Sequence, residues 1–290
     1  MILSGKAIAD KIQEEIEKTI ASLSSPPGLA VVLVGDNVSS HAYIKMKRRA
    51  CALVGIHSFF HHFPETISEM ELLQLIIQLN QKTEIDGILV QFPLPPHIES
   101  EKVVELIDPH KDVDGFHPIN IGKLLIGSKG GFIPCTPLGI KTLLDRSQIS
   151  VEGKDVVIVG RSSIVGKPLA ALLMQNSVGC NATVTVVHSR TPHLKAHTSR
   201  ADILVAALGS PHFIKEDMVR EGAVVIDVGI NREEDFQMPQ GYRIVGDVDF
   251  NQVKHKCSAI TPVPKGVGPM TVAMLLQNTL LSYQRRIRDK

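Results

Sequence analysis

The stretch that decides the fold runs from Asp155 to Met174 and reads DVVIVGRSSIVGKPLAALLM. A short β-branched run, Val156 to Val159, leads into a turn between Gly160 and Gly166, and an apolar-periodic segment begins near Pro168. Strand, glycine turn, helix is the order that sets backbone N–H groups and a helix N-terminus against a phosphate. The P-loop pattern does not fit. It takes four residues between its glycines and Ser or Thr after the lysine, whereas five residues separate Gly160 from Gly166 and Pro168 follows Lys167. The dinucleotide fingerprint Gly-x-Gly-x-x-Gly survives only in its outer features, with Arg161 and Ser162 after the first glycine. Alone, the turn reads either as a nucleotide site or as a tight βα connection without a ligand.

The next strand favours the nucleotide. ATVTVV (Ala182 to Val187) ends at His188-Ser189-Arg190. An NAD site places an acidic residue at this strand end to hold the ribose 2′-hydroxyl, whereas a 2′-phosphate needs cationic and hydroxyl partners. No carboxylate is here, and Ser189, Arg190 and Arg161 are groups that a phosphate dianion requires. NADP is therefore expected over NAD, although Arg190 by itself also fits a solvated basic loop.

Outward from this unit, 290 residues make one large or two ordinary domains. A net charge of +1 gives no electrostatic case for nucleic acid or a membrane surface. The N-terminal segment carries Asp and Glu and lacks an apolar core, which argues against transit and signal peptides. No run approaches the eighteen or so apolar residues of a membrane span. Cys51, Cys135, Cys180 and Cys257 are scattered without a C-x-x-C pair. They are expected to be reduced, mostly buried thiols of a cytoplasmic protein, and no metal site is expected.

The first half alternates strands and helices. GLAVVLVG (Gly28 to Gly35) is a strand buried on both faces. Ser39 or Ser40 caps a helix that runs to about Val54, where Gly55 stops it. A strand over His57 to Phe63, a helix over Ser68 to Gln81 and a strand over Asp86 to Phe92 follow, the last halted by Pro93, Pro95 and Pro96. Helices are expected over Glu99 to Ile107, Pro118 to Gly127 and, capped by Thr136 before Pro137, to about Arg146. Beyond the central stretch come a helix over Leu194 to Ser199, the strand Asp202 to Gly209 and a helix over Lys215 to Glu221. Strands over Ala223 to Val228, Tyr242 to Val245 and Ser258 to Ile260 precede a final helix, Pro269 to about Arg286. The pattern is two α/β units with parallel sheets, the nucleotide-binding one second.

Several polar residues stand where chemistry is possible. Tyr43 and Lys47 are four apart on the first crossover helix and share a face. A lysine partly buried beside an aromatic can have its pKa lowered into the working range of an acid–base catalyst. From spacing alone, however, Lys45, Lys47, Arg48 and Arg49 read more readily as a solvated face. Gln91 lies at the carboxyl end of a strand, where open α/β sheets gather ligand groups. Asp112 is accounted for by turn chemistry in DVDG, and Asp114 is left as a binding carboxylate. TPVPKGVGPMT (Thr261 to Thr271) makes a stiff loop able to press backbone against a planar ligand. DVGIN (Asp227 to Asn231) is a strand-end loop that brings Gly229 and Ile230 near where a nicotinamide would lie.

The motifs YIKMK, DGILVQFPLP, KDVDGFHPINIGKL, PCTPLGI, VVIVGRSSIVGKP, VVHSRT, VVIDVGIN, VGDVDF and TPVPKGVGPMT, in this order, resemble the bifunctional methylenetetrahydrofolate dehydrogenase/methenyltetrahydrofolate cyclohydrolase family over essentially the whole chain. The resemblance implies an N-terminal α/β substrate domain over residues 1–140 and a Rossmann-like NADP domain over 141–268. The last helix, 269–290, would return to the first domain, and a homodimer would join through the nucleotide domains. It implies NADP-dependent oxidation of 5,10-methylenetetrahydrofolate and hydrolysis of the methenyl cation to 10-formyltetrahydrofolate. By motif, Lys47 would serve the cyclohydrolase step, Tyr43 would stack on the folate, Gln91 would tune the lysine, and Asp114 would grip the pterin. Gly268 and Pro269 would line its pocket, while Gly160, Arg161, Ser162, Ser189 and Ile230 would contact NADP. A different NADP-dependent dehydrogenase with this plan, such as a shikimate-type enzyme, and a silent NADP-binding module are the competing expectations. The chain departs from the family pattern at Lys265, where the loop usually carries glycine. NSVGC (Asn176 to Cys180) looks like a small surface insertion.

Overall fold

The N-terminal helix α1 (Gly5–Ala21) is followed by β1 (Gly28–Val34), α2 (Val38–Val54), β2 (His57–Phe63), α3 (Glu69–Gln81), β3 (Gly87–Val90), α4 (Ser100–Leu106) and α5 (Pro118–Ile126). Next come α6 (Cys135–Arg146), β4 (Asp155–Val159), α7 (Gly166–Leu173), β5 (Thr183–Val187), α8 (Leu194–Thr198), β6 (Ile203–Ala206) and β7 (Val224–Asp227). β8 (Asn231–Glu234), β9 (Tyr242–Val245), α9 (Phe250–Val253), β10 (Ala259–Ile260) and α10 (Val267–Arg288) complete the chain. This computed structural model describes residues 1–238 and 241–288, without the side chains of Val38 and Ser39.

The chain divides into two units. One comprises Asp10–Cys135 and the last helix from Val272, the other Met1–Ala9 and Thr136–Thr271. The first is built on a parallel sheet of order β2-β1-β3. All seven residues of β1 are buried, as the unbroken apolar run requires for a strand covered on both faces. One face packs Ala30, Val32 and Val34 with Leu72, Ile76 and Leu79 of α3 and Val103 of α4. Ser68 starts α3 in a capping box with Glu71. At α2 the expected cap is corrected. Asn37 Oδ1 accepts the N–H of Ser40 at 3.1 Å, and the Ser39 side chain lies outside the described residues.

The part of α10 from Val272 onward belongs to this same unit. Its buried polar residues tie down loops: Asn278 Nδ2 donates to the carbonyls of Val113 (2.9 Å) and Ile133 (3.2 Å). The Ser282 hydroxyl lies 2.6 Å from the Asp86 carbonyl and 2.8 Å from that of His110. Arg286 pairs with the buried Asp86 carboxylate at 2.6 Å. The last helix therefore does return to the first α/β unit, held by hydrogen bonds as well as by its apolar stripe.

The second unit carries a parallel sheet of order β10-β7-β6-β4-β5. Residues 1–9 group here, which the sequence reading did not foresee. Leu3 N–H donates to the Ile260 carbonyl at 2.8 Å, and Ile2 bridges Ile260 in parallel beside β10. Three expectations change. The helix over Lys215 to Glu221 is a single 3₁₀ turn, Glu216–Met218, bonded Met218 to Lys215 and Val219 to Glu216, after which the chain extends at Val219. The Tyr242–Val245 strand stands as expected, and it pairs antiparallel with β8, a strand the sequence did not show, so not every strand lies in a parallel sheet. Thr136 lies inside the first turn of α6, which begins at Cys135. Residues 176–178 are exposed, as expected of a surface insertion. All four cysteines are free, and three are buried.

Candidate functional site

In the three-stranded unit, β1 ends at Val34 and β3 at Val90, side by side in a parallel sheet, so the residues that follow share one edge. α2 rises from that edge and carries Tyr43 and Lys47. The lysine is not part of a solvated face: it is only 6 % exposed. Its Nζ donates to Gln91 Oε1 at 3.0 Å and lies 5.6 Å from the centre of the Tyr43 ring. Gln91 Nε2 donates to the Phe92 carbonyl at 2.8 Å. Because the amide nitrogen is committed to that carbonyl, its oxygen is the end turned to the lysine.

Asp114 belongs to the same cluster. Burial raises its carboxyl above the usual range, while the Lys47 charge and a hydrogen bond with Cys135 pull it down. Burial also raises the Tyr43 phenol and pushes the Cys135 thiol well up. Neighbouring Asp112 does different work, as turn chemistry predicts. Oδ1 accepts the N–H groups of Gly115 (3.1 Å) and Phe116 (3.2 Å), and Oδ2 accepts those of His117 and Asn120 Nδ2, both at 2.8 Å. Burial still pushes this carboxyl up to about 6. Asn278 was missed from sequence, yet it holds the carbonyls of Val113 and Ile133 on either side of the Asp114 loop. Its only signal was an amide within the apolar stripe of the last helix.

In the five-stranded unit β4 stands between β6 and β5, so the chain reverses its order of strands at β4, and open sheets bind ligands at such a point. Gly160 follows β4 with φ +129°, and a β-carbon there would collide with the Ala207 carbonyl; one on Gly166 would strike the Gly160 carbonyl. Glycine at both positions is what lets this turn close. Ser162 Oγ accepts the N–H groups of Val165 (3.2 Å) and Gly166 (3.4 Å), capping the start of α7. Arg161, Ser162, Ser189 and Arg190 are exposed at the carboxyl ends of the paired strands β4 and β5, where Val159 lies opposite Val187. Ile230, 51 % exposed, stands beyond β7 on the same sheet edge. These groups suit a dinucleotide bearing a 2′-phosphate: the glycine cradle admits close backbone approach, and cations and a hydroxyl stand where NAD would need a carboxylate. Gly268 and Pro269 stand in the first turn of α10, in this unit.

Two buried aspartates shape the sheet edge and were not foreseen. Asp227, at the end of β7, accepts the N–H groups of Gly229, Asp247 and Val248 at 2.9, 2.9 and 3.0 Å. Asp247 accepts those of Leu208, Gly209 and Ser210 and of the Asn231 amide, at 2.8–3.0 Å. Both stand in motifs that the sequence shows, but most of their partners are backbone groups 20 or more residues away.

A glycine turn at a strand-order switch, with cations at its rim, and a second unit holding a buried lysine–glutamine pair define a dinucleotide-dependent α/β enzyme equipped for proton transfer. Comparison with known proteins agrees. The catalytic-domain model of tetrahydrofolate dehydrogenase/cyclohydrolase matches residues 3–114, and its NAD(P)-binding-domain model matches 134–287. The chain is 57 % identical over 286 residues to the bifunctional protein FolD of Protochlamydia amoebophila, covering 98 % of each. The crystal structure of the Campylobacter jejuni bifunctional FolD superposes with a TM-score of 0.92 at 48 % identity, covering 99 % of both chains. The Trypanosoma brucei enzyme, complexed with NADP cofactor and inhibitor, gives a TM-score of 0.94 at 38 % identity, over 99 % of this chain and 98 % of that one. The chain belongs to the tetrahydrofolate dehydrogenase/cyclohydrolase family.

Proposed function

We propose that the protein oxidises 5,10-methylenetetrahydrofolate with NADP and then hydrolyses the 5,10-methenyl product to 10-formyltetrahydrofolate. The observation that carries this reading is the buried Lys47–Gln91 pair at 3.0 Å: hydride loss from a methylene carbon between two nitrogens releases no proton, so in this reaction the pair serves the hydrolysis. NADP, when bound, accepts the hydride that leaves the methylene carbon with its electron pair. Arg161, Ser162 and Ser189 would hold its phosphates, the Gly160 turn would let the backbone approach, and Ile230 would offer an apolar face to the nicotinamide.

Hydrolysis adds water to the methenyl carbon; one proton of that water is released, the other passes to the nitrogen whose bond to carbon breaks, and the formyl group stays on the other nitrogen. Lys47 Nζ moves the released proton, and Gln91, oriented by the Phe92 carbonyl, fixes where Nζ stands. Tyr43 supplies a ring for the folate to stack on and Asp114 a carboxyl for the pterin. The free cysteines fit a cytoplasmic protein, and no helix among the described residues is long and apolar enough to cross a membrane. β5, the outer strand of the five-stranded sheet, offers the edge through which two copies would pair as a homodimer.

A silent module has no use for the lysine pair, whereas a shikimate-type enzyme would use such a lysine to take the proton of its substrate's hydroxyl; against that alternative it is the match to both family models that favours the folate reading. The test is Lys47→Met assayed with 5,10-methylenetetrahydrofolate and NADP. Methenyl hydrolysis should fall by about 10²–10⁴-fold while NADPH is still formed, so that methenyltetrahydrofolate accumulates. Unchanged hydrolysis would remove Lys47 from the mechanism, and absence of NADP reduction by the unmodified enzyme would overturn the assignment.

A further inference from the structure

The turn after β1, the first part of α2 and the end of β2 bring three metal-ligating side chains together: Asp36, His41 and His62. Their ligand atoms all lie within 4.8 Å of one another. His41 Nε2 is 3.1 Å and His62 Nε2 3.2 Å from the same oxygen, Asp36 Oδ1. The two imidazoles meet edge to face with centroids 5.2 Å apart. From these positions we propose that Asp36, His41 and His62 form a surface site for a divalent first-row transition metal, zinc above all.

The donor set is two imidazole nitrogens and one carboxylate oxygen, which suits zinc, nickel or copper; calcium and magnesium take oxygen-rich sets instead. Two of the three ligand-atom separations match those around a bound ion. Tetrahedral zinc with bonds of about 2.0–2.1 Å holds its ligand atoms about 3.3–3.4 Å apart, close to both measured nitrogen–oxygen separations. The site is also fixed by the backbone. Leu33 of β1 lies opposite His62 of β2, and Gly35, turning at φ +78°, donates its N–H to the Phe63 carbonyl at 2.9 Å. Asp36 and His62 are thus held one residue beyond and one residue within a locked parallel pair, and His41 descends on them from the helix. With the three side chains 79 %, 42 % and 37 % exposed, the fourth position opens to water or to an external ligand.

The nearest competitor is a proton-bridged cluster in which His41 donates to Asp36 and the Nε2–H of His62 is shared between Asp36 Oδ1 and the Gly35 carbonyl, each 3.2 Å away. It uses the same Nε2 atoms, so metal and protons exclude each other there. Nothing in the sequence flagged the site, because its members sit on a turn, a helix and a strand and match no ligand spacing. A bound ion would staple the first turns of α2, the helix that carries Tyr43 and Lys47, to the edge strand β2.

The experiment titrates the metal-stripped full-length protein with ZnCl₂ by calorimetry and follows Co²⁺ by its visible absorption. His41→Gln and His62→Gln are run in parallel, each checked by circular dichroism to fold as the unmodified chain does. One saturable site is expected, its Co²⁺ band showing a coordination number below six, with affinity lowered by at least about tenfold in either variant, as even outer-shell losses do. Zinc should raise the thermal midpoint of the unmodified protein but not of His62→Gln. No binding up to millimolar zinc, or the same affinity and the same Co²⁺ band in both variants, would overturn the proposal.

Discussion

Replacing Asp247 by Asn keeps its shape and removes only its charge and half of its acceptors, so its cost can be worked out atom by atom. Asp247 is fully buried. Oδ2 accepts from Leu208 N–H (2.8 Å) and Gly209 N–H (3.0 Å), and Oδ1 accepts from Ser210 N–H (2.9 Å) and Asn231 Nδ2 (2.8 Å). Whichever way an asparagine amide is turned, its NH₂ faces two donors. Two charge-assisted hydrogen bonds are lost, each worth about 1.5–3 kcal/mol, and two buried donors are left unpaired. The expected destabilisation is about 3–6 kcal/mol, a large share of the roughly 5–15 kcal/mol that holds a typical protein folded. Urea unfolding followed by far-ultraviolet circular dichroism measures it, since the chain has no tryptophan for fluorescence. The same loops, 207–210 and 229–231, stand at the carboxyl edge of the five-stranded sheet, so NADP affinity should fall with stability. A loss below about 1 kcal/mol would refute the reasoning, because it would mean that the four donors find other partners at no cost.

Three further expectations follow from single observations. Lys265 holds φ at +83°, a conformation that costs an ordinary residue about 1–2 kcal/mol, against about 0.5–1 kcal/mol of extra chain entropy lost by glycine. Lys265→Gly should therefore stabilise the protein by about 0.5–1 kcal/mol, a small rise in thermal midpoint; a fall would show that the ammonium makes a contact worth more than the strain. Burial raises the carboxyls of Asp112 and Asp227 from 3.8 to about 6, so the folded state holds their protons more tightly than the unfolded chain does. Their contribution to stability is full below pH 4 and is lost as pH rises through about 6. Carbon-detected NMR titration of the two carboxyls reads this directly, and midpoints at or below 3.8 would mean that their N–H donors outweigh desolvation. Gln91→Leu removes the acceptor of the Lys47 ammonium and should slow methenyl hydrolysis more than NADP reduction; equal losses in a rapid-quench comparison would reduce Gln91 to a packing role.

What could be read from the sequence was mainly what local chemistry determines. The strand–turn–helix at Asp155, the buried run of β1, the boundaries of β2 and the helix over 69–81 all follow from periodicity, glycine and capping. Lys47 shows the limit. Spacing made it part of a basic face, because nothing on α2 itself reveals that Gln91, 44 residues further on, waits to receive it. Only resemblance to a family gave its role. Asp227, Asp247 and Asn278 were invisible for a related reason: each satisfies backbone groups brought to it by the tertiary fold, N–H donors for the aspartates and carbonyl acceptors for Asn278, and a backbone group has no letter in the sequence. β8 escaped because Asn-Arg-Glu-Glu carries no apolar alternation, its pairing with β9 being supported by exposed partners such as Glu233 with Arg243.

The last helix completes a unit whose other parts were made long before it. Asn278 reaches Val113 across 165 residues of chain, and Arg286 reaches Asp86 across 200. Synthesis at about 5–20 residues per second separates their emergence from the ribosome by roughly 10–40 s. For that interval the nascent three-stranded sheet lacks the Arg286 partner of the buried Asp86 carboxylate, which keeps its bond from the Gly28 N–H, and the Asn278 donor of the Val113 and Ile133 carbonyls. The order in which the chain is made thus leaves its catalytic half open longest, and any chaperone that attends this protein during translation would find its client surface there.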